Sequence, residues 1–134
     1  MAYPITDIRG IPPDAADVLK SEGIRTTIGL LRSAKTPKQR LKIATMTGTN
    51  AERVLGWVTS ADRMRVKGVG WEYSELLRMA GVKTVNELKF RNSEHLVEKM
   101  QEANKRKLVR LLPKRRTVER WIESAKKLPT LIRY

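Results

Sequence analysis

The chain repeats itself. Ile8-Arg9-Gly10-Ile11-Pro12 matches Val66-Lys67-Gly68-Val69-Gly70 at an offset of 58 residues, and the pairs Asp14/Glu72, Leu19/Leu77, Gly23/Gly81, Ile24/Val82, Thr26/Thr84 and Leu30/Leu88 keep that offset. Farther on, Val54, Trp57, Ser60 and Ala61 match Val118, Trp121, Ser124 and Ala125 at an offset of 64, so the second copy carries about six extra residues. An internal repeat of this period means one supersecondary plan used twice, and with no linker longer than about six residues before residue 104 the copies are expected to form one interlocked domain. Repeat one is read as residues 8–65 and repeat two as 66–128, within one domain spanning 1–134.

Each copy has helical periodicity. In the first, Pro13 and Asp14 suit a first helical turn, Ala15, Ala16, Val18 and Leu19 give an apolar face, and Gly23 stops the helix. A short helix runs from Thr26 to about Arg32. Thr36-Pro37-Lys38-Gln39 reads as a capping box opening a helix to about Gly48, and Thr49-Asn50-Ala51-Glu52 as another opening a helix to about Met64. In the second copy a helix from Trp71 to Ala80 stops at Gly81, and Thr84-Val85-Asn86-Glu87 caps a helix to about Phe90. Asn92 or Ser93 caps the next, and a last helix covers 117–128 before Pro129, with Thr130–Tyr134 trailing off. No stretch alternates apolar and polar residues long enough for a strand. The expected architecture is all-α, a single compact domain of about eight short helices with a pseudo-two-fold relation between its repeats. The second Gly-rich turn has a helix before it and the first has none. The last helix, 117–128, is therefore expected to fold back and support the first turn.

The two turns carry the chemistry. Gly68 and Gly70 permit backbone conformations that side chains forbid, including positive φ. The N–H groups of Gly68, Val69 and Gly70, with those at the start of the Trp71 helix, can form an anion-binding concavity, and Lys67 adds charge at its rim. The same turn can serve packing alone. In the first copy Arg9, Gly10 and Ile11 stand in the matching places, but Pro12 and Pro13 have no N–H to offer, which makes this hairpin the weaker of the two. Trp71 sits at the mouth of the second hairpin, where it can pack or stack on a base. Trp57 and Trp121 read as equivalent core residues.

Charge points to a polyanion. The sequence has 28 Lys and Arg against 14 Asp and Glu, a net charge of +14. Lys105, Arg106, Lys107, Arg110, Lys114, Arg115, Arg116 and Arg120 are offset in residues 105–120 by Glu119 alone. A second run holds Arg32, Lys35, Lys38, Arg40 and Lys42 with no acid. Leu108, Val109, Leu111 and Leu112 inside the first run predict that part of it docks on the core. Without cysteine the chain has no disulfide, thiol nucleophile or thiolate metal site, which fits a reducing compartment. His95, the only histidine, lacks partners at metal-ligand spacing. Absence of a nucleophile motif, a carboxylate pair and a phosphate loop argues against an enzyme and against a cofactor. No apolar run matches a membrane span, and the start of the chain has no signal-peptide pattern, so a cytoplasmic location is expected.

Together, Ile8-Arg9-Gly10-Ile11-Pro12, Met64-Arg65-Val66-Lys67-Gly68-Val69-Gly70, Ala80-Gly81-Val82-Lys83-Thr84-Val85 and Trp121-Ile122-Glu123-Ser124-Ala125-Lys126-Lys127-Leu128 resemble a small family of uncharacterised tandem helix-hairpin-helix proteins, a domain of unknown function. Residues 50–90 look like the helix-hairpin-helix modules of DNA repair and recombination proteins. That resemblance implies the fold, and it implies that Gly68, Val69 and Gly70 hold a phosphate without reading base sequence. The expected function is non-enzymatic, largely sequence-independent nucleic-acid binding, DNA favoured over RNA. The alternative is an interaction subunit in a protein or ribonucleoprotein assembly. Oligomeric state is left open.

Overall fold

The computed structural model describes residues 2–106 and 109–134. Eight α-helices are found among them: α1 (Pro13–Ser21), α2 (Thr27–Ser33), α3 (Pro37–Thr47), α4 (Ala51–Arg63), α5 (Trp71–Met79), α6 (Val85–Leu88), α7 (Ser93–Ala103) and α8 (Arg115–Lys126). Short 3-10 turns at Ile5–Asp7 and Asn104–Arg106 precede α1 and follow α7. The described residues contain no strand, only an isolated bridge between Pro4 and Thr26. Among them no helix is long and apolar enough to cross a membrane. The domain is all-α and compact, as its periodicity predicts.

The helices follow one series twice. α1 and α5 have nine residues each and start at Pro13 and Trp71, 58 apart. α2 and α6 start at Thr27 and Val85, also 58 apart. α3 and α7 have eleven residues each and start at Pro37 and Ser93, 56 apart. α4 and α8 start at Ala51 and Arg115, 64 apart. The six extra residues thus resolve into two lost before α7 and eight gained between α7 and α8. The first series makes that link with residues 48–50, the second with 104–114.

Short polar side chains start most of these helices. Thr26 accepts from the Gly29 N–H, Asn50 from Arg53 and Asn92 from His95, while Thr36 with Gln39 and Thr84 with Glu87 form reciprocal capping boxes. Two helix starts differ from the sequence reading. Asn50 caps α4 in place of Thr49, its Oδ1 accepting from the Arg53 N–H at 2.9 Å, while the Thr49 N–H closes α3 onto the Ala44 carbonyl at 2.9 Å. α8 begins at Arg115, two residues before the expected Thr117, directly after Pro113 and Lys114.

Two apolar cores fill the domain. Ile5, Ile8, Leu19, Leu30, Val58 and Met64 are among the residues of the first, and Val66, Val69, Leu76, Leu96, Met100 and Val118 among those of the second. The expected support of the first turn by the last helix is overturned. α8 packs on α6 and α7, and a Cβ placed on Gly68 would meet Trp121 Nε1 at 3.4 Å, so α8 backs the second turn. The first turn is backed by α4, whose Trp57 Nε1 donates to the Gly10 carbonyl at 3.2 Å. Each turn is buttressed by the tryptophan of its own series. A tight link lets α4 return over the elements that precede it, at less loop-closure cost than a crossing from the far end of the chain.

The last turn of α4 ties the halves together. Arg63 is 1% exposed. Its Nε donates to the Ser74 carbonyl at 2.8 Å and to the Ser74 hydroxyl at 3.0 Å, its Nη1 to the Lys83 carbonyl at 2.9 Å, and its Nη2 to Ser60 Oγ at 3.1 Å. Burial pushes its pKa down to about 10, with Glu75 at 3.5 Å opposing the shift, so it stays charged at neutral pH. Asp62 accepts from the Val85 N–H at 2.8 Å and pairs with Arg65 at 2.6 Å, and Arg65 donates to the Pro129 carbonyl at 2.8 Å. The end of the chain does not trail off. Ile132 is buried in the first core, and the Arg133 N–H reaches the Lys35 carbonyl at 2.8 Å. Arg40, one of the five cations of the acid-free second run, is buried and donates to the carbonyls of Ala34, Lys35 and Arg133.

Candidate nucleic-acid interface

The second turn is built by two buried valines. Val66 and Val69 are fully buried, the Val69 N–H returns to the Val66 carbonyl at 3.0 Å, and Gly68 takes φ 90°. This is the positive φ that the third position of a type II turn requires. Lys67 and Gly68 are left exposed at its tip. Gly70 then starts α5 in an extended conformation, φ −91° and ψ −166°, with no atom within 4 Å of where a Cβ would stand. The two glycines therefore differ: only Gly68 needs the left-handed region. The first helical bond of α5 runs from the Ser74 N–H to the Gly70 carbonyl at 2.9 Å, and no side chain caps the helix. Its leading N–H groups have no intrahelical acceptor and carry the positive end of the helix dipole.

The first turn closes in the same register, with the Ile11 N–H on the Ile8 carbonyl at 3.0 Å, but Gly10 is not among the positive-φ glycines. Pro12 and Pro13 stand where α5 has Gly70 and Trp71. The two turns lie side by side. Arg9 reaches across to Glu72 at 3.3 Å, and a Cβ on Gly10 would lie 3.9 Å from the Trp71 ring. Trp71 is half-buried against the first series. Thr6, Asp7 and Arg9 from one side and Gly68, Gly70 and Glu72 from the other are among the residues lining a cleft of about 400 Å³. Its two carboxylates against one guanidinium offset part of the helix-end field, and Arg9 answers Glu72 directly.

The basic segment is attached to this site through Tyr73. The Tyr73 hydroxyl donates to the Leu111 carbonyl at 2.8 Å, and its ring centre lies 5.2 Å from that of Trp121, the residue that backs Gly68. Val109 and Pro113 are buried and Leu112 half-buried, so this stretch docks on the second core. Asn104 closes its base, donating to the Val109 carbonyl at 3.2 Å and accepting from the Val109 N–H at 3.0 Å. Arg110, Lys114, Arg115 and Arg116 remain exposed. Arg115 bonds Glu119 at 3.0 Å. α8 begins amid these cations with no side-chain cap and no acid in its first turn, an arrangement that an anion would relieve. Lys105 pairs with Glu102 at 3.8 Å, both exposed. Arg106 is placed by its backbone in the 3-10 turn, and Lys107 and Leu108 lie outside the described residues.

Sequence reasoning missed Tyr73, Asp62 and Arg63. Tyr73 had a signal, since its repeat partner is Ala15 and a methyl group has become a phenol. Asp62 and Arg63 fall at the polar end of an amphipathic helix, and the packing of α4 against the following segment buries them.

A family model described as Domain of unknown function (DUF4332) matches residues 9–128. No curated protein and no solved structure matches the chain.

Proposed function

The chain belongs to the Domain of unknown function (DUF4332) family, which leaves its role to be read from its own surface, and we propose that it is a non-enzymatic, largely sequence-independent DNA-binding protein. In this reading α4, the turn at Val66–Val69 and α5 act as a helix-hairpin-helix module, and the α1 turn is its weaker twin. The N–H groups of Gly68, Gly70 and the first turn of α5 hold a backbone phosphate, Lys67 pairs with the same or the next one, and Arg110, Lys114, Arg115 and Arg116 follow the strand. Phosphate contacts position a duplex without reading its bases. The preference for DNA over RNA follows the likeness to repair and recombination modules.

One observation carries the reading. An uncapped helix start and an acid-free stretch, Val109–Val118, are joined by the Tyr73–Leu111 hydrogen bond on one side of the second core. The excess charge is thereby gathered beside backbone donors.

The test is fluorescence anisotropy with duplexes of unrelated sequence. With about six phosphates neutralised, affinity is expected to fall roughly 10³-fold between 50 and 200 mM salt. Lys67→Glu, a charge reversal at an exposed position, is expected to weaken binding about tenfold at low salt without altering the melting temperature. A flat salt response, or retention of one specific protein after nuclease treatment with no duplex bound, would overturn the proposal.

A further inference from the structure

We infer that Leu111 is an apolar wedge that enters a base step of the bound duplex and unstacks it. The inference rests on the DNA-binding reading above and adds what the site does to its ligand.

The segment that carries Leu111 is additional to the repeated plan. The first series passes from α3 to α4 through residues 48–50, whereas the second uses 104–114 for the same passage. The first series makes the same passage without such a segment. Its apolar residues then divide by role. Val109 and Pro113 are buried and Leu112 is half-buried, while Leu111 between them is 74% exposed. A single exposed leucine is ordinary on a protein surface. This one is held in place. Its carbonyl accepts the Tyr73 hydroxyl at 2.8 Å, Pro113 restricts the backbone two residues on, and the docked neighbours fix both sides.

Its surroundings select the occupant. Arg110 precedes it, Lys114, Arg115 and Arg116 follow, and no acid occurs before Glu119. An exposed apolar group with cations before and after it in the chain is complementary to a polyanion with an apolar interior, and a base stack between two phosphate strands is such a partner. Proteins that bend DNA insert Leu, Ile, Phe, Met or Pro between base pairs while flanking cations hold the phosphates. Tyr73 lies in the first turn of α5, so the wedge is one hydrogen bond away from the element whose amides hold a phosphate. The predicted consequence is selectivity for duplexes that unstack cheaply, such as those with a mismatch or a nick.

The experiment uses the full chain and a duplex with 2-aminopurine at a central mismatch, beside the same duplex fully paired. Wild type is expected to raise 2-aminopurine fluorescence about threefold and to bind the mismatched duplex about tenfold more tightly than the paired one. Leu111→Ala is expected to lose both effects and keep the salt dependence, because no cation is removed. If Leu111→Ala binds with unchanged fluorescence and unchanged selectivity, the wedge is wrong and the DNA-binding reading stands. If neither protein binds any duplex, both are wrong. A third arm offers vesicles of phosphatidylserine and phosphatidylcholine. Leu111-dependent sedimentation with vesicles, without duplex binding, would assign the leucine to a membrane surface and overturn the proposal.

Discussion

Gly68 and Gly70 lack side chains for opposite reasons. Gly68 has φ 90°, which a side chain disfavours, while a Cβ there would make only ordinary van der Waals contact with Trp121 Nε1 at 3.4 Å. Gly68→Ala is therefore expected to destabilise the domain by about 1–2 kcal/mol in urea unfolding. Gly70 has an ordinary extended backbone with open space around it, so Gly70→Ala is expected to stay within about 0.5 kcal/mol of wild type. Gly70→Pro copies Pro12 of the twin, and its expected signature is a retained melting temperature with several-fold weaker duplex binding, because one N–H is lost. Equal melting temperatures for Gly68→Ala and Gly70→Ala would contradict this account. The sequence showed a Gly-x-Gly pair and treated its members alike. Backbone dihedrals and the position of Trp121 distinguish them, and neither is encoded in the local pattern.

At the scale of elements, α4 serves two neighbours. Its Trp57 supports the turn before it in the chain, and its last turn inserts Asp62 and Arg63 between α5 and α6. In the first series the backbone does this work: the Ile5 N–H binds the Arg25 carbonyl at 2.9 Å and the Thr27 N–H the Tyr3 carbonyl at 2.9 Å. In the second series Arg63 takes the Lys83 carbonyl and Asp62 the Val85 N–H, the residues 58 farther on. Side chains have replaced a strand-like pairing because the preceding residues are helical. Arg63→Met would leave the Ser74 and Lys83 carbonyls without this donor, at an expected cost of about 3 kcal/mol by chemical denaturation. A loss below about 1 kcal/mol would mean that water or a neighbour replaces the guanidinium. Tyr73→Phe removes one exposed hydrogen bond and is expected to cost under about 1 kcal/mol while speeding amide hydrogen exchange around Val109–Leu112. Unchanged exchange there would show that the docked apolar residues suffice to hold the segment. Helix positions were legible from caps, prolines and periodicity because these are local causes. The length change was legible only as a net six residues, since spacing alone cannot say where a chain lost two and gained eight.

The whole molecule is two cores held together by their connections. α4 leads into the second core, and the end of the chain returns to the first, where Ile132 is buried and Arg40 bonds the Arg133 carbonyl at 2.7 Å. Deleting residues 130–134 is expected to cost about 3 kcal/mol, from the buried isoleucine and the buried guanidinium left with one carbonyl fewer. Coupled loss of signals from Trp57 and Trp121 in wild type, and separated transitions in the truncated chain, would locate that loss at the junction. Unaltered stability would mean that α4 and the packing of Trp71 on the first series suffice to join the halves. The sequence by itself determined the helices, the repetition, the turns and the charge excess, because capping, periodicity and composition act over a few residues or over none. The tertiary structure alone decided which helix backs which turn, which arginines are buried, and that Tyr73 brings the basic segment to the second turn. Those outcomes depend on which surfaces meet, and a buried contact between residues far apart in sequence leaves no mark in the spacing of either one.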